Sequence, residues 1–357
     1  MINKNFWKNK RVLITGHTGF KGGWLSIWLK MLGARIAGYS INPVTKKNFF
    51  DSTKLKKIFE KDFRKNIQNY KNLNDCVNQF KPEIIFHLAA QPQVLESFNN
   101  PYETIMTNVM GTSNLLDIVK KNKIVKSLVI ITTDKVYKNI ENKKRFSEND
   151  SLGGDDLYSS SKASADLISL SYYKSFFAKN SCGMATVRAG NCIGGGDWTK
   201  YRILTDASES FFKNKPLKIR NPNSRRPWQH VLEPLLGYII VAQKVFGNKK
   251  SIYNTAWNFG PSRKVHINVL TFAKIFKTKM KSKSKLIISK KKDTREKMTL
   301  DLDSKKAKKI LKWKPFLTIE QTLQLTADWY LAYENKKNIF DFTKLQINKF
   351  MKSLNDL

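Results

Sequence analysis

The sequence predicts an α/β fold: a doubly wound parallel sheet with helices on both faces, joined to a smaller, mainly C-terminal domain. Three observations predict it. The first half alternates short apolar runs with segments of helical period, the pattern of buried parallel strands and their crossover helices. A glycine-rich turn lies directly between the first apolar run and the first helical segment. After Arg188 the alternation breaks into Gly/Pro-rich loops, GGGDW and RNPNSRRPW, followed by helices with few strands.

Taken in order, Arg11-Val-Leu-Ile-Thr15 reads as the first strand, and Trp24–Leu32 as the first helix. Ala34–Tyr39 and Pro82–Leu88 read as further strands, followed by a helix over Tyr102–Lys121 and a strand over Ser127–Thr132. A helix over Ser159–Ala178 and a strand over Gly183–Arg188 complete the alternation. The expected division is a first domain over 1–189, with a returning segment near 228–256, and a second domain over 190–357. The helical stretch His230–Val245 belongs to the return, and the lysine cluster Lys277–Lys292 reads as an exposed helix end and loop.

Composition narrows the function. With 357 residues, 41% of them apolar, the chain can bury two ordinary cores. Its 65 Lys and Arg against 28 Asp and Glu give a net charge of +37, a balance compatible with nucleic acid, an anionic membrane or an anionic substrate. The lysines run from Lys4 to Lys352 without forming one patch, so a solvated basic surface is expected, with no nucleic-acid or membrane partner. Cys76, Cys182 and Cys192 lack metal-ligand spacing, as do the four histidines, so no metal site and a reduced, cytoplasmic setting are expected. The chain reaches a strand almost at once without an apolar leader, and holds no long uncharged apolar run.

Three motifs carry chemistry. Gly16-His-Thr-Gly19-Phe-Lys-Gly22 stands between strand and helix, where glycines let the backbone turn tightly and approach a pyrophosphate at the helix N-terminus. Tyr158-Ser-Ser-Ser-Lys162 puts a phenol and an ammonium one helical turn apart on one face. There the cation lowers the phenol's pKa and makes Tyr158 a usable general base. Tyr333 and Lys337 match the same spacing, and position after several strand–helix units favours Tyr158. Thr132-Thr133-Asp134-Lys135 ends an apolar strand at the carboxyl edge, where ligands bind in such sheets. The second strand ends in Ser40, without the acidic residue that selects a free ribose 2′-hydroxyl, so NAD and NADP both remain open there. Asp62 reads equally as an adenine contact or a solvated surface acid.

Together, the glycine loop, His87-Leu-Ala-Ala90, Thr107-Asn-Val-Met-Gly-Thr112 and YSSSK resemble an extended short-chain dehydrogenase/reductase with a Rossmann-type sheet. Within that group GHTGFKGGWL, AAQP, TTDK, RAGNCIGGGDW and RPWQHVLEP resemble the CDP-glucose 4,6-dehydratase family, over about Arg11 to Tyr333. The resemblance implies NAD as cofactor, held by Gly16, Thr18, Gly19, Phe20, Lys21, Gly22, Asp62, Phe63, Leu88, Ala89, Ala90, Gln91, Asn108, Thr132, Tyr158 and Lys162. It implies a nucleotide-sugar substrate, CDP-glucose, contacted by Gln91, Thr133, Asn191, Arg202, Arg220, Arg226 and Trp228. The family oxidises carbon 4 of the sugar, eliminates water across carbons 5 and 6, and returns the hydride to carbon 6. Thr133, Asp134, Lys135, Tyr158 and Lys162 are the catalytic set this implies. Tyr158 takes the 4-hydroxyl proton, Thr133 bonds the same oxygen, Asp134 protonates the departing 6-hydroxyl and Lys135 removes the carbon 5 proton. Lys135 stands where dTDP-glucose dehydratases have Glu, and serves only through a neutral form, which burial or the nearby Lys162 cation promotes.

The sequence departs from this family at three places. It has Gln91-Pro-Gln-Val-Leu95 for AAQPLVR, Asp155-Asp-Leu-Tyr158 for HDPY, and Asp293-Thr294 for a His-Glu pair. These bear on nucleotide and sugar preference. Another nucleotide-sugar dehydratase or epimerase is the alternative within the class, and Asp134-Lys135 argues for elimination over epimerisation. A non-catalytic nucleic-acid-binding or scaffolding protein rests only on the +37 charge. The family's use of paired helices implies a homodimer or homotetramer, with contacts among Tyr102–Val119 and Ala163–Phe177.

Overall fold

The computed structural model describes residues 2–140, 145–179, 182–248, 250–262, 267–289 and 300–355. Seven strands form the central sheet: β1 (Arg11–Thr15), β2 (Arg35–Ser40), β3 (Lys61–Arg64), β4 (Ile84–His87), β5 (Ser127–Ile131), β6 (Gly183–Ala189) and β7 (Ala256–Phe259). They lie in the order β7-β6-β5-β4-β1-β2-β3, every neighbouring pair parallel. The order reverses beside β1, which pairs with β2 on one side and β4 on the other. That switch point opens a crevice at the carboxyl ends of the strands.

The strands are apolar on both faces, as a doubly covered sheet requires. Val12 and Ile14 of β1, Ile84 and Phe86 of β4 and Val129 of β5 enter one core, whereas Leu13, Ile85 and Leu128 enter the other. The first core is closed by the helices Phe20–Met31 and Leu232–Val245, the second by Tyr70–Phe80 and Gly111–Lys121. The helix Phe20–Met31 begins a turn earlier than its apolar period indicates, because Gly19 takes the cap position.

Two strands escape the sequence pattern. β3 is a polar edge strand, Lys-Asp-Phe-Arg, with no buried residue. β7, wholly buried, extends the sheet beyond β6 after the helix Leu232–Val245, which packs on β5 and β6. Beyond β6 the chain adds the helices Ile203–Phe212, Val269–Lys279, Ile319–Glu334 and Ile339–Asn355. Short ladders link Cys192–Ile193 to Gln229–His230, Leu217–Ile219 to Leu286–Ile288, and Arg225–Arg226 to Ile267–Asn268. Of the lysine cluster, Lys277 and Lys279 close the helix Val269–Lys279, while Lys290–Lys292, like Asp293-Thr294, lie outside the described residues. No helix among the described residues is long and apolar enough to cross a membrane.

Candidate active site

The glycine loop is shaped by backbone crowding. Gly16 has φ +73°, and its N–H donates to the Tyr39 carbonyl of β2 at 2.9 Å. A Cβ on Gly16 would lie 2.7 Å from the Ala89 nitrogen, and one on Gly22 2.3 Å from the Gly16 carbonyl oxygen. Only glycine fits at both positions. Gly19 caps the helix Phe20–Met31 with no side-chain hydrogen bond from the described residues. The first-turn N–H groups and the helix dipole therefore make an anion site beside Leu88–Gln91. Thr15 ties that strand end down: its hydroxyl meets His87 Nδ1 at 2.8 Å and accepts the Ala89 N–H at 3.2 Å. Burial, helped by the Lys162 charge, drops His87 to about 3, so it serves here as a neutral hydrogen-bonding strut.

Beyond the β2 end the Thr18 and Ser40 hydroxyls meet at 2.9 Å. A cleft of about 600 Å³ opens there, with Asn42, Lys46, Phe50, Asp62 and Arg64 in its wall. Asp62 sits at this cleft with its carboxylate already engaged, 2.9 Å from His17 Nε2 and 2.8 Å from Arg64 Nε. Burial alone would raise Asp62, but the hydrogen bonds from His17 and Arg64 hold it below the usual carboxylate range. Phe63 packs against the second core.

The helix Leu157–Tyr172 starts at Asp156, whose carboxylate accepts the Ser159 N–H at 2.9 Å. Tyr158 and Lys162 follow on its buried face. Asn108 anchors this helix to the strand-end loop, donating to Ser161 Oγ at 2.9 Å and accepting the Gln91 N–H at 2.8 Å. Lys162 donates to the Ile131 carbonyl at 2.8 Å. Burial, with the charge of Lys21, lowers Lys162 to about 8. Tyr158 is pushed up to about 12 by burial, against a hydrogen bond to Thr133 and the charge of Arg202.

Thr133–Lys135 turns out of β5 in a single turn, Asp134–Val136. The Thr133 hydroxyl donates to Asp134 Oδ1 at 3.0 Å. Asp134 is buried, and that burial raises its pKa against the charges of Lys135, Lys21 and Arg226. A buried carboxyl whose pKa is raised, beside two hydroxyls, is suited to delivering a proton to a leaving oxygen. Thr133, Asp134, Lys135, Tyr158, Lys21, Arg202 and Arg226 thus act on one another in one place.

The remaining expected residues differ in placement. Arg202 pairs with Asp197 and keeps part of its side chain open. Asn191 accepts the Gln229 N–H through its carbonyl at 3.1 Å. Gln91 donates to Thr104 Oγ1 at 2.9 Å. Arg220 is exposed and acts on Asp206 of the helix Ile203–Phe212. Trp228 is in the core, its ring centroid 4.3 Å from that of Phe272. Thr132 donates to Asp166 Oδ2 at 2.8 Å.

Sequence reasoning misses the most buried ionic group. Asp166, one turn beyond Lys162, and Arg188 of β6 form a fork wholly inside the protein. A single arginine in the apolar run Met184-Ala-Thr-Val-Arg188 is its signal, since a charge inside a buried strand requires a counter-charge. Cys192 is likewise missed: it is buried, hydrogen-bonded to Lys21, and raised by that burial.

The chain matches the family model described as GDP-mannose 4,6 dehydratase over residues 13–326. It is 40% identical to CDP-glucose 4,6-dehydratase of Salmonella typhimurium, covering 98% of this chain and 99% of that one. Among solved structures, dTDP-glucose 4,6-dehydratase from Bacillus anthracis, in complex with NAD, superimposes with TM-score 0.76 at 24% identity, over 93% of this chain and 99% of that one. UDP-glucose 4-epimerase from Thermotoga maritima, with UDP-glucose, gives TM-score 0.79 at 19% identity, over 91% and 99%; both likenesses show a shared fold. With the loop, the Tyr158–Lys162 face and the Thr133–Lys135 turn assembled at one crevice, the chain belongs to the GDP-mannose 4,6 dehydratase family of extended short-chain dehydrogenases/reductases.

Proposed function

We propose that the protein is an NAD-dependent nucleotide-sugar 4,6-dehydratase that converts CDP-glucose to CDP-4-keto-6-deoxyglucose and water. The carrying observation is the buried Asp134, its pKa raised by burial, beside the Thr133 and Tyr158 hydroxyls. Oxidation or epimerisation at carbon 4 needs a base for one hydroxyl; elimination also needs a placed acid for the second oxygen. The 40% identity to the Salmonella dehydratase supports CDP-glucose as the substrate.

The residues fit a dinucleotide: a Cβ on Gly16 or Gly22 would run into backbone, and the helix beyond Gly19 starts uncapped by any described side chain. We assign that cradle, Gly16 to Gly22 with Leu88–Gln91, to NAD, Tyr158 and Lys162 to its nicotinamide end, and Asp62, Phe63 and Asn108 to supporting positions. NAD, when bound, supplies the acceptor and donor for the hydrogen that moves from carbon 4 to carbon 6.

The chain's own residues do the proton work. Tyr158 removes the 4-hydroxyl proton while Thr133 holds the same oxygen. The resulting ketone acidifies the carbon 5 hydrogen, for which Lys135 is the assigned base. Asp134 gives its proton to the 6-hydroxyl, so that the carbon–oxygen bond breaks and water leaves. Arg202 and Arg226, with Asn191, Gln91 and Arg220, are assigned to the nucleotide diphosphate and sugar; an arginine fork suits phosphate oxygens. Trp228, its ring tilted against that of Phe272, backs this wall from the core.

The reading assigns residues 1–189 with the 228–256 return to the cofactor, 190–357 to the nucleotide sugar, and the reaction to the cytoplasm. It includes a homodimer formed through the helices around Tyr102 and Leu167, whose side chains are 73% and 52% exposed, with a homotetramer as the larger alternative. The test is incubation with NAD and CDP-, dTDP-, UDP- or GDP-linked hexoses. A 4-keto-6-deoxy product from CDP-glucose supports the reading, and its formation only from another nucleotide sugar overturns the substrate assignment.

A further inference from the structure

We propose that the buried Asp166–Arg188 pair is a positioning device that grips both ends of the Thr133–Lys135 turn and sets it for elimination. The proposal rests on the dehydratase reading for its catalytic half and on geometry alone for its mechanical half.

The Asp166 carboxylate accepts four hydrogen bonds. Oδ1 takes Arg188 Nη2 at 2.7 Å and Thr186 Oγ1 at 3.1 Å; Oδ2 takes Arg188 Nε at 2.9 Å and Thr132 Oγ1 at 2.8 Å. The third guanidinium nitrogen, Nη1, donates to the Tyr137 hydroxyl at 2.8 Å, and that hydroxyl donates to Asn258 Oδ1 at 2.8 Å. Thr132 precedes Thr133, the cap of the turn Asp134–Val136, and Tyr137 immediately follows that turn. One ion pair therefore reaches the entry of the turn through Thr132 and its exit through Tyr137.

The same pair reaches the base. Tyr158, Lys162 and Asp166 stand at successive turns of the helix Leu157–Tyr172, so they project to one side of it. Asp166 thereby couples the helix that carries Tyr158 to the turn that carries Asp134 and Lys135. A fully buried ion pair is a weak source of stability, since desolvation offsets much of the attraction. It is a good source of direction, because a planar fork fixes angles as well as distances. Elimination needs an acid and a base held at two different atoms of one sugar, and depends on such alignment more than the single proton transfer of oxidation does.

Tyr137→Phe is the decisive variant: it removes only the hydroxyl, and Phe keeps the ring on which the Arg188 guanidinium rests, 5.0 Å from the centroid. Two readouts are taken on the full-length protein. Hydrogen exchange over residues 133–138 should quicken roughly tenfold, with β1 and β2 unchanged. In turnover with NAD and CDP-glucose, kcat should fall by roughly ten- to a hundredfold, with KM unchanged and reduced cofactor building up. Asp166→Asn, where it folds, should loosen the turn at both ends.

Unchanged exchange in Tyr137→Phe overturns the clamp, whatever the activity. Faster exchange with wild-type turnover and no reduced cofactor overturns its catalytic role. Wild-type protein that forms no 4-keto-6-deoxy product overturns the dehydratase reading instead, and leaves the exchange result to decide the clamp.

Discussion

Lys162 donates to the Ile131 carbonyl at 2.8 Å, so the cation one turn beyond Tyr158 is fastened to the strand that leads into Thr133. The phenol, buried and raised to about 12, has Thr133 as its hydrogen-bond partner, and the charge of Arg202 acts against that rise. Proton removal by Tyr158 thus depends on the whole assembly of β5, its turn and the helix Leu157–Tyr172.

Tyr158→Phe should lower turnover by ~10²-fold or more, because it deletes the proton acceptor at the 4-hydroxyl. Cofactor affinity should largely survive, since the Gly16–Gly22 cradle is untouched. Steady-state rates together with calorimetric titration of NAD check it. Near-normal turnover would remove Tyr158 from the mechanism.

Gly19 and Gly22 should respond differently to alanine. At Gly19 the added Cβ meets only the Gly16 carbonyl, at 3.3 Å; at Gly22 it meets that same oxygen at 2.3 Å and the His17 Cα at 2.8 Å. Gly22→Ala should cost about 1–3 kcal/mol of stability. Gly19→Ala should fold, yet bind NAD roughly tenfold more weakly, a loss of about 1.4 kcal/mol. Wild-type affinity in folded Gly19→Ala would contradict the phosphate-loop assignment.

Leu167→Glu places a charge on an exposed apolar face that also carries Tyr102, Ile105 and Met110 from the neighbouring helix. Light scattering should show a dimer for the wild type and a monomer for the variant. A wild-type monomer at micromolar concentration would end the dimer proposal.

Glu233 provides the pH test of stability. Burial raises it from an ordinary 4.5 to about 7, against the N–H groups of Phe316 and Leu317, both bonded to Oε1. A folded-state pKa above the unfolded one means its contribution is fully present below pH 4.5 and lost as pH rises through about 7. Glu233→Gln keeps an acceptor for both N–H groups. It should match the wild type in acid and exceed it above neutrality by on the order of 2–3 kcal/mol. Urea melts at about pH 5 and about pH 8 decide it; an equal offset at both would refute the assignment.

Much of this architecture is legible in the sequence, for identifiable reasons. The loop Gly16–Gly22 is readable because a side chain at Gly16 would run into the Ala89 backbone and one at Gly22 into the Gly16 carbonyl. β1, β4 and β5 are readable because both faces are covered, leaving continuous apolar runs. β3 is not, because an edge strand needs no apolar face, and Lys-Asp-Phe-Arg looks like a loop. Trp228 reads as a pocket residue beside Arg225-Arg226, but only tertiary packing reveals Phe272 against its ring. The Asp166–Arg188 fork joins residues from separate elements: the lone arginine in an apolar strand signals a buried counter-charge, but nothing local names Asp166 as that partner.

The central claim is that Asp134 and Lys135 perform elimination while Tyr158 and Thr133 perform the preceding oxidation. The measurement is a single-turnover reaction of the Asp134→Asn, Lys135→Met double variant with NAD and CDP-glucose, following reduced cofactor and product together. The account predicts reduced cofactor that persists, a 4-keto sugar that still carries its 6-hydroxyl, and product formation slowed by ~10²–10⁴-fold. Wild-type protein should show almost no net reduced cofactor. A double variant that makes the 4-keto-6-deoxy sugar at the wild-type rate would contradict the account.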